Sequence, residues 1–344
     1  MILQHGTGRT VGFIALLVVL VALMRSPVAA QYVVTNLVSD QTGQALHVDP
    51  QLINAWGIAF SPTGPFWVTD TGTGVATVYG SKGVKQKIVV TIPSVGKNHG
   101  TPTGEIYNST SDFKISQGSN SGPALFIFDT EDGTISGWNP SVNANTAVIA
   151  VNNHGADYTG LAIGVNNGAN FIYAADHKNN KVDVYDRSFN LVNSFTDPNL
   201  PVGAGPFNVQ NINGRLFVAF TLSGESGGVV DIFDTTGNLI KTFASHGTLK
   251  GPWGLARAPS NFGPASGAIL VGNLDDGRIN IFNATTGTYM GQLKDTSGKV
   301  ISIRGLWGLT FGGGKGINGK KNQLFFAAGP SGYKHGLFGV INFQ

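Results

Sequence analysis

The sequence contains no cysteine. That excludes disulfides, thiolate-ligated zinc and cysteine nucleophiles. Charge is scarce as well: Asp, Glu, Lys and Arg make up 12% of the 344 residues, and no run of Lys and Arg forms a basic stripe. The formal net charge of +3 includes Arg9 and Arg25 near the N-terminus, so the remainder is close to neutral. Nucleic acid is thereby excluded as a partner. No G-x-S-x-G elbow, phosphate loop or dinucleotide fingerprint occurs. Beyond residue 30 no segment is apolar for long enough to cross a membrane.

The one sizeable apolar run, residues 11–24, follows His5 and Arg9 and precedes Ser26-Pro27-Val28-Ala29-Ala30. A charged start, an apolar core shorter than the ~20 residues of a bilayer span, and small residues before Gln31 read as a secretory signal. Residues 1–30 are expected to be removed by cleavage after Ala30, delivering residues 31–344 to the periplasm or the medium. An uncleaved membrane anchor is the alternative.

What the chain has in excess is glycine, 49 residues, scattered between short β-rich runs. Residues 54–79, NAWGIAFSPTGPFWVTDTGTGVATVY, read as three strands joined by tight turns. Variants recur at GPFNVQNINGRLFVAF, GPWGLARAPSNFGPASGAILVGNLDDGRINIF and GLWGLTFGGG. Units begin at 54, 103, 158, 205, 251 and 305, a period of about 50 residues that marks a blade array. Five units hold four strands and the last holds three. A spare strand, YVVTNLVS (32–39), precedes the first. The prediction is an all-β, six-bladed β-propeller of four-stranded blades, formed by residues 31–344 as one domain. The N-terminal strand completes the last blade and leaves no long edge unpaired.

The inner strands carry Trp56-Gly57, Phe207, Trp253-Gly254 and Trp307-Gly308. Glycine lets backbones approach near the axis, and the aromatics are expected to pack between adjacent blades. Asp234-Thr235-Thr236-Gly237-Asn238 and Asn283-Ala284-Thr285-Thr286-Gly287 are structural turns. Asp129-Thr130-Glu131-Asp132-Gly133 lacks the closing Glu of a calcium loop and is also read as a turn.

Three groups of residues could carry chemistry at the mouth of the channel. Asn54, Glu105, Asp157 and Asn208 stand at or beside the starts of inner strands. A ring of such oxygens suits a divalent cation, Ca²⁺ or Mg²⁺. The same residue types also tie strand ends through local hydrogen bonds, and spacing alone does not choose. His99 and His154, in the repeated Asn-His-Gly loops before blades 2 and 3, are candidates for a general base or a metal ligand, or are hydrogen-bonded loop residues. Asp70, Asp176 and Asn273 each close a second strand and are expected to fix the following turn. Arg304, before the last inner strand, could hold an anion.

The segments IYAADHKNNKVDVY, FWVTDTGTGVATVY and ILVGNLDDGRINIF resemble NHL repeats, and NAWGIAFSPTGPFWVTD resembles the SMP-30/gluconolactonase-like propellers. From residue 31 to the end the chain resembles a family of secreted bacterial β-propeller proteins of uncharacterised function, through YVVTNLVSD, NAWGIAFSPTGPFWV and GPWGLA. The resemblance implies the fold and export. The gluconolactonase-like motif implies a metal role for Asn54 and a place for Glu105, whereas Trp253 and Trp307 stand where that group has polar ligands. The expected function is a monomeric, non-catalytic module that binds a small molecule or an extracytoplasmic protein at the channel mouth, helped by the insertion at 109–121. The alternative is a lactonase-like hydrolase with a divalent cation in the channel; a lyase is a third reading.

Overall fold

A computed structural model describes residues 1–3, 6, 32–222 and 227–344. The predicted signal segment lies outside the described residues except at 1–3 and 6. The chain forms a six-bladed β-propeller. Blades 1 to 5 are antiparallel four-stranded meanders with inner strands Ala55–Phe60, Pro102–Tyr107, Tyr158–Asn166, Gly205–Ile212 and Pro252–Arg257. Blade 6 has inner strand Leu306–Phe311, then Gln323–Ala328 and Leu337–Phe343.

Ring closure follows the prediction. Tyr32–Ser39 pairs antiparallel with Leu337–Phe343, from Tyr32 opposite Phe343 to Ser39 opposite Leu337. The short strand His47–Val48 adds a parallel partner outside it. The Tyr32 hydroxyl donates to the Phe262 carbonyl at 2.9 Å and accepts from the Ala265 amide at 3.3 Å. The closing strand is thus anchored to blade 5 as well as to blade 6.

Burial on both faces of each blade places the core. Second and third strands such as Phe66–Asp70 and Val75–Tyr79 are buried throughout, because both faces of a blade meet a neighbour. Six apolar clusters lie between successive blades, including the 6–1 pair, where Leu37, Phe66, Phe325 and Phe338 meet. A seventh cluster lies on the axis.

Inner strands begin at one face, here the upper, and end at the other. The insertion leaves the lower end of Pro102–Tyr107 and forms a hairpin, Lys114–Gln117 with Asn120–Pro123. It does not reach the upper mouth as the sequence suggested, since a first-to-second connection must lie where first strands end. Phe113 and Ile115 are buried there, and Asp112 accepts from the Asn170 amide at 2.8 Å, wedging the lower edges of blades 2 and 3.

Candidate functional site: a plugged channel with two unlike ends

The channel is shut by tryptophan. Trp56 and Trp307 stack with ring centroids 3.6 Å apart and planes 14° from parallel. Trp253 meets both edge-on, at 6.3 and 6.1 Å, and Phe207 packs against Trp307 at 5.5 Å. Blades 1 and 5 are not neighbours, so the Trp56–Trp253 contact crosses the axis. The expected packing between adjacent blades holds for Trp56–Trp307 and Trp253–Trp307, and the cross-axis contacts add to it. The pairing of inner with second strands shifts between Ala55 and Ile58, Pro252 and Leu255, and Leu306 and Leu309, where each Trp-Gly sits. A bulge re-aims side chains, and here it turns each indole onto the axis. The glycines permit it: a Cβ on Gly254 would lie 2.6 Å from the Trp307 carbonyl, and one on Gly308 would lie 2.7 Å from that of Trp56.

Polar groups predicted as metal ligands serve the plug. Asn54, left-handed at φ 51°, accepts from the Trp307 indole at 3.0 Å. Asn208 donates to the Trp253 carbonyl at 2.8 Å and accepts from the Val209 amide. The Trp253 indole donates across the channel to the Thr159 carbonyl at 2.8 Å. Asn54 and Asp157 stand one residue before their strands, while Glu105 and Asn208 are the fourth residues of theirs. At about 3.3 Å per residue the two pairs differ in height by on the order of 10 Å. The four do not form a ring of free oxygens and do not fit a divalent cation. No group of three or more His, Asp or Glu among the described residues could hold one either.

Glu105 differs from the bonded Asn54 and Asn208. It is 6% exposed, and neither carboxyl oxygen has a hydrogen-bond partner. The Ala59 and Thr69 backbone groups approach without forming a well-shaped bond, and burial pushes its pKa well above the usual carboxylate range. The carboxyl lines a waist cavity of about 30 Å³ beneath the plug, together with Asn208, Gln210 and Trp253. It also lines a funnel of about 230 Å³ at the lower end, with Ile58, Phe60, Leu161, Ile163 and Thr310.

The upper end is a cleft of about 580 Å³ over blades 5 and 6, lined by Leu274, Asp275, Asp276, Arg304 and Tyr333. Arg304 therefore faces the upper mouth, off the axis. Ser331, Gly332 and Tyr333 are all left-handed, at φ 58°, 68° and 66°. Such geometry costs about 1–2 kcal/mol per non-glycine residue. It holds the Tyr333 ring 5.6 Å from Trp307, as a half-exposed floor of the cleft. Burial, then Asp276, raises the Asp275 pKa, with Lys250 opposing.

His99 and His154 are exposed and line neither the waist nor the funnel. His99 Nδ1 lies 2.9 Å from the Gly100 carbonyl, and His154 Nε2 lies 3.1 Å from the Asn152 amide. The acids closing second strands differ in role. Asp176 accepts from the Asn179 and Asp157 amides, whereas Asp70 accepts from Thr77 across the blade at 2.7 Å. Asp129 reaches inward, accepting from Thr103 Oγ1 at 2.8 Å and the Gly104 amide at 2.6 Å. Asp275, Tyr333 and the axial position of the tryptophans are absent from the sequence reading. The repeated Trp-Gly, at one phase in three inner strands, was the available signal, since equal phase means equal height.

The chain is 31% identical over 325 residues to the uncharacterised protein R648 of Acanthamoeba polyphaga mimivirus, covering 90% of this chain and 79% of the relative. It is 32% identical over 297 residues to L690 of the same virus, covering 81% and 79%. Among solved structures, virginiamycin B lyase from Staphylococcus aureus matches with a TM-score of 0.56 at 12% identity, over 92% of this chain and 100% of that one. A putative gluconolactonase matches with a TM-score of 0.56 at 11% identity, over 92% and 93%. At such identities these two show the fold alone. No protein-family profile matches the chain. These relatives are viral, where the sequence resemblance implied a bacterial family. The chain belongs to the family of uncharacterised proteins that includes R648 and L690 of Acanthamoeba polyphaga mimivirus.

Proposed function

We propose that this protein is a non-catalytic binding propeller whose ligand lies in the upper cleft between blades 5 and 6. The observation that carries the reading is the tryptophan plug. It fills the axis with stacked rings, two of whose indoles donate to Asn54 and to the Thr159 carbonyl, and leaves an accessible cleft beside it on the upper face. The cleft offers the Arg304 guanidinium for a carboxylate or phosphate, and Tyr333 with Leu274 for an apolar or aromatic body. The left-handed turn under Tyr333 is the kind of local strain that binding sites retain.

A thermal-shift and NMR screen of small aromatic carboxylates tests this. The expected result is a set of binders that lose affinity in Arg304→Ala and in Tyr333→Ala but not in Glu105→Gln. Binders indifferent to both cleft substitutions, or no binder, would reject it.

The family's uncharacterised status leaves export as a second part of the proposal. It rests on the charged start, the apolar core and the small residues before Gln31. Expression of the full chain, with N-terminal sequencing of the exported fraction, should find Gln31 first; full-length protein kept in the cytoplasm would count against it.

A further inference from the structure

The lower end of the channel carries a second site. We propose that the funnel and the waist above it bind a primary alkylammonium, its head between the Glu105 carboxylate and the Trp253 indole and its alkyl body in the funnel.

A buried acceptor left without a partner is costly, and a carboxyl with both oxygens unmatched is among the most costly cases. Asn54, Asn208 and the Trp253 and Trp307 indoles bond one another or backbone groups, and the Trp56 indole, which has no partner, lines neither the waist nor the funnel. Among the described residues Asp231 also has both carboxyl oxygens unmatched, but it lines neither the waist nor the funnel, whereas Glu105 lines both. Among the described residues no Lys, Arg or His lines the waist or the funnel to supply a counter-charge.

The waist is also the right size for a small cation: at about 30 Å³ it matches a group the size of water or ammonium. Trp253 shares its wall with Glu105. An incoming ammonium would release to solvent the proton that burial favours on Glu105, and the resulting carboxylate with an indole about one small cavity suits a cation better than a neutral hydroxyl, since both the ion pair and the cation–π attraction strengthen away from water.

Below Glu105 the funnel widens to about 230 Å³ between Ile58, Phe60, Leu161 and Ile163, with Gln210 and Thr310 among its polar residues. An alkyl chain of a few carbons fills such a space, each buried methylene contributing about 0.8 kcal/mol. The plug shuts the other end, so entry is from the lower face only.

The test uses n-butylammonium chloride, with n-butanol as the neutral control, titrated by calorimetry into the purified protein and followed by indole fluorescence. Wild type should bind one butylammonium saturably and butanol about tenfold more weakly, a difference of about 1.4 kcal/mol. Glu105→Gln keeps the side chain's shape and should weaken butylammonium by about tenfold or more while keeping the circular dichroism of the fold. Thr310→Trp, at the funnel wall, should block binding with Glu105 intact. Arg304→Ala should leave it unchanged, so this result stands apart from the upper-cleft reading. Equal binding by wild type and Glu105→Gln, or no saturable binding to wild type at tens of millimolar, would overturn the proposal.

Discussion

Trp56 lies flat on Trp307, ring centroids 3.6 Å apart. The two belong to the first and last blades, the pair that the ring must join to close. The stack is therefore an axial latch on the seam that Tyr32–Ser39 closes at the rim. Aromatic pairs contribute about 0.5–1.5 kcal/mol beyond their buried area, and removing a buried Trp costs about 3–5 kcal/mol. Trp307→Ala should cost that much in urea unfolding. Stacked indoles also couple optically, so Trp56→Phe should weaken the exciton signal in far-ultraviolet circular dichroism, leaving the share of Trp253–Trp307 and Trp67–Trp138. An unchanged spectrum would mean that the rings do not stack in solution.

The rim of the same seam makes a smaller prediction. Tyr32→Phe removes one hydroxyl and strands the Phe262 carbonyl and the Ala265 amide. A loss of about 1–3 kcal/mol is expected. Deleting residues 32–39 should do far more, leaving Leu337–Phe343 as an open edge and the protein prone to aggregate. Light scattering after mild heating would register the difference.

Asn54 offers a way to separate packing from metal binding. Its side chain accepts from the Trp307 indole. Asn54→Ala should lower Tm through that lost bond, by the same amount with and without EDTA. If the loss shrank to nothing in EDTA, Asn54 would be a metal ligand after all, since a bound ion stabilises the folded state by mass action.

Stability should fall as pH rises from about 4 to 7. Burial pushes Asp129 and Asp231 up to about 7, with Asp197 adding to the effect at Asp231. An unfolded Asp titrates near about 3.9. Across that window the folded state keeps protons that the unfolded chain has released, so the slope of unfolding free energy with pH is negative. Asp234 works the other way. Slight burial raises it, but hydrogen bonds from Thr236 and Asn238 outweigh that and hold it at about 2. Its contribution is lost only as pH falls below about 4 toward 2. Chemical denaturation at pH 5 and pH 8 should find the acidic sample more stable, and Asp129→Asn should flatten the difference. Equal stability at both pH values would contradict this account.

The blades were legible because each is a local pattern bounded by turns: Gln323–Ala328, for instance, is a short apolar run closed by Gly329-Pro330. Ring closure was legible from arithmetic, one strand spare and one missing. The axis was not. Whether Trp253 points between blades or across the channel depends on a bulge of one residue, which alternation does not record. Asn54 and Glu105 seemed equivalent because both lie near inner strands, yet their phases put them at different heights. The cleft residue Tyr333 was invisible for another reason. Its place depends on a left-handed run that tyrosine does not advertise.

The plug also means that the molecule has no through-route. Upper cleft and lower funnel are separate addresses divided by one wall, and the wall is made of the residues that lock blade 1 to blade 6. A variant engineered to bore the channel open would loosen the ring at its joint, so transit through this propeller and persistence of its shape cannot be tuned independently.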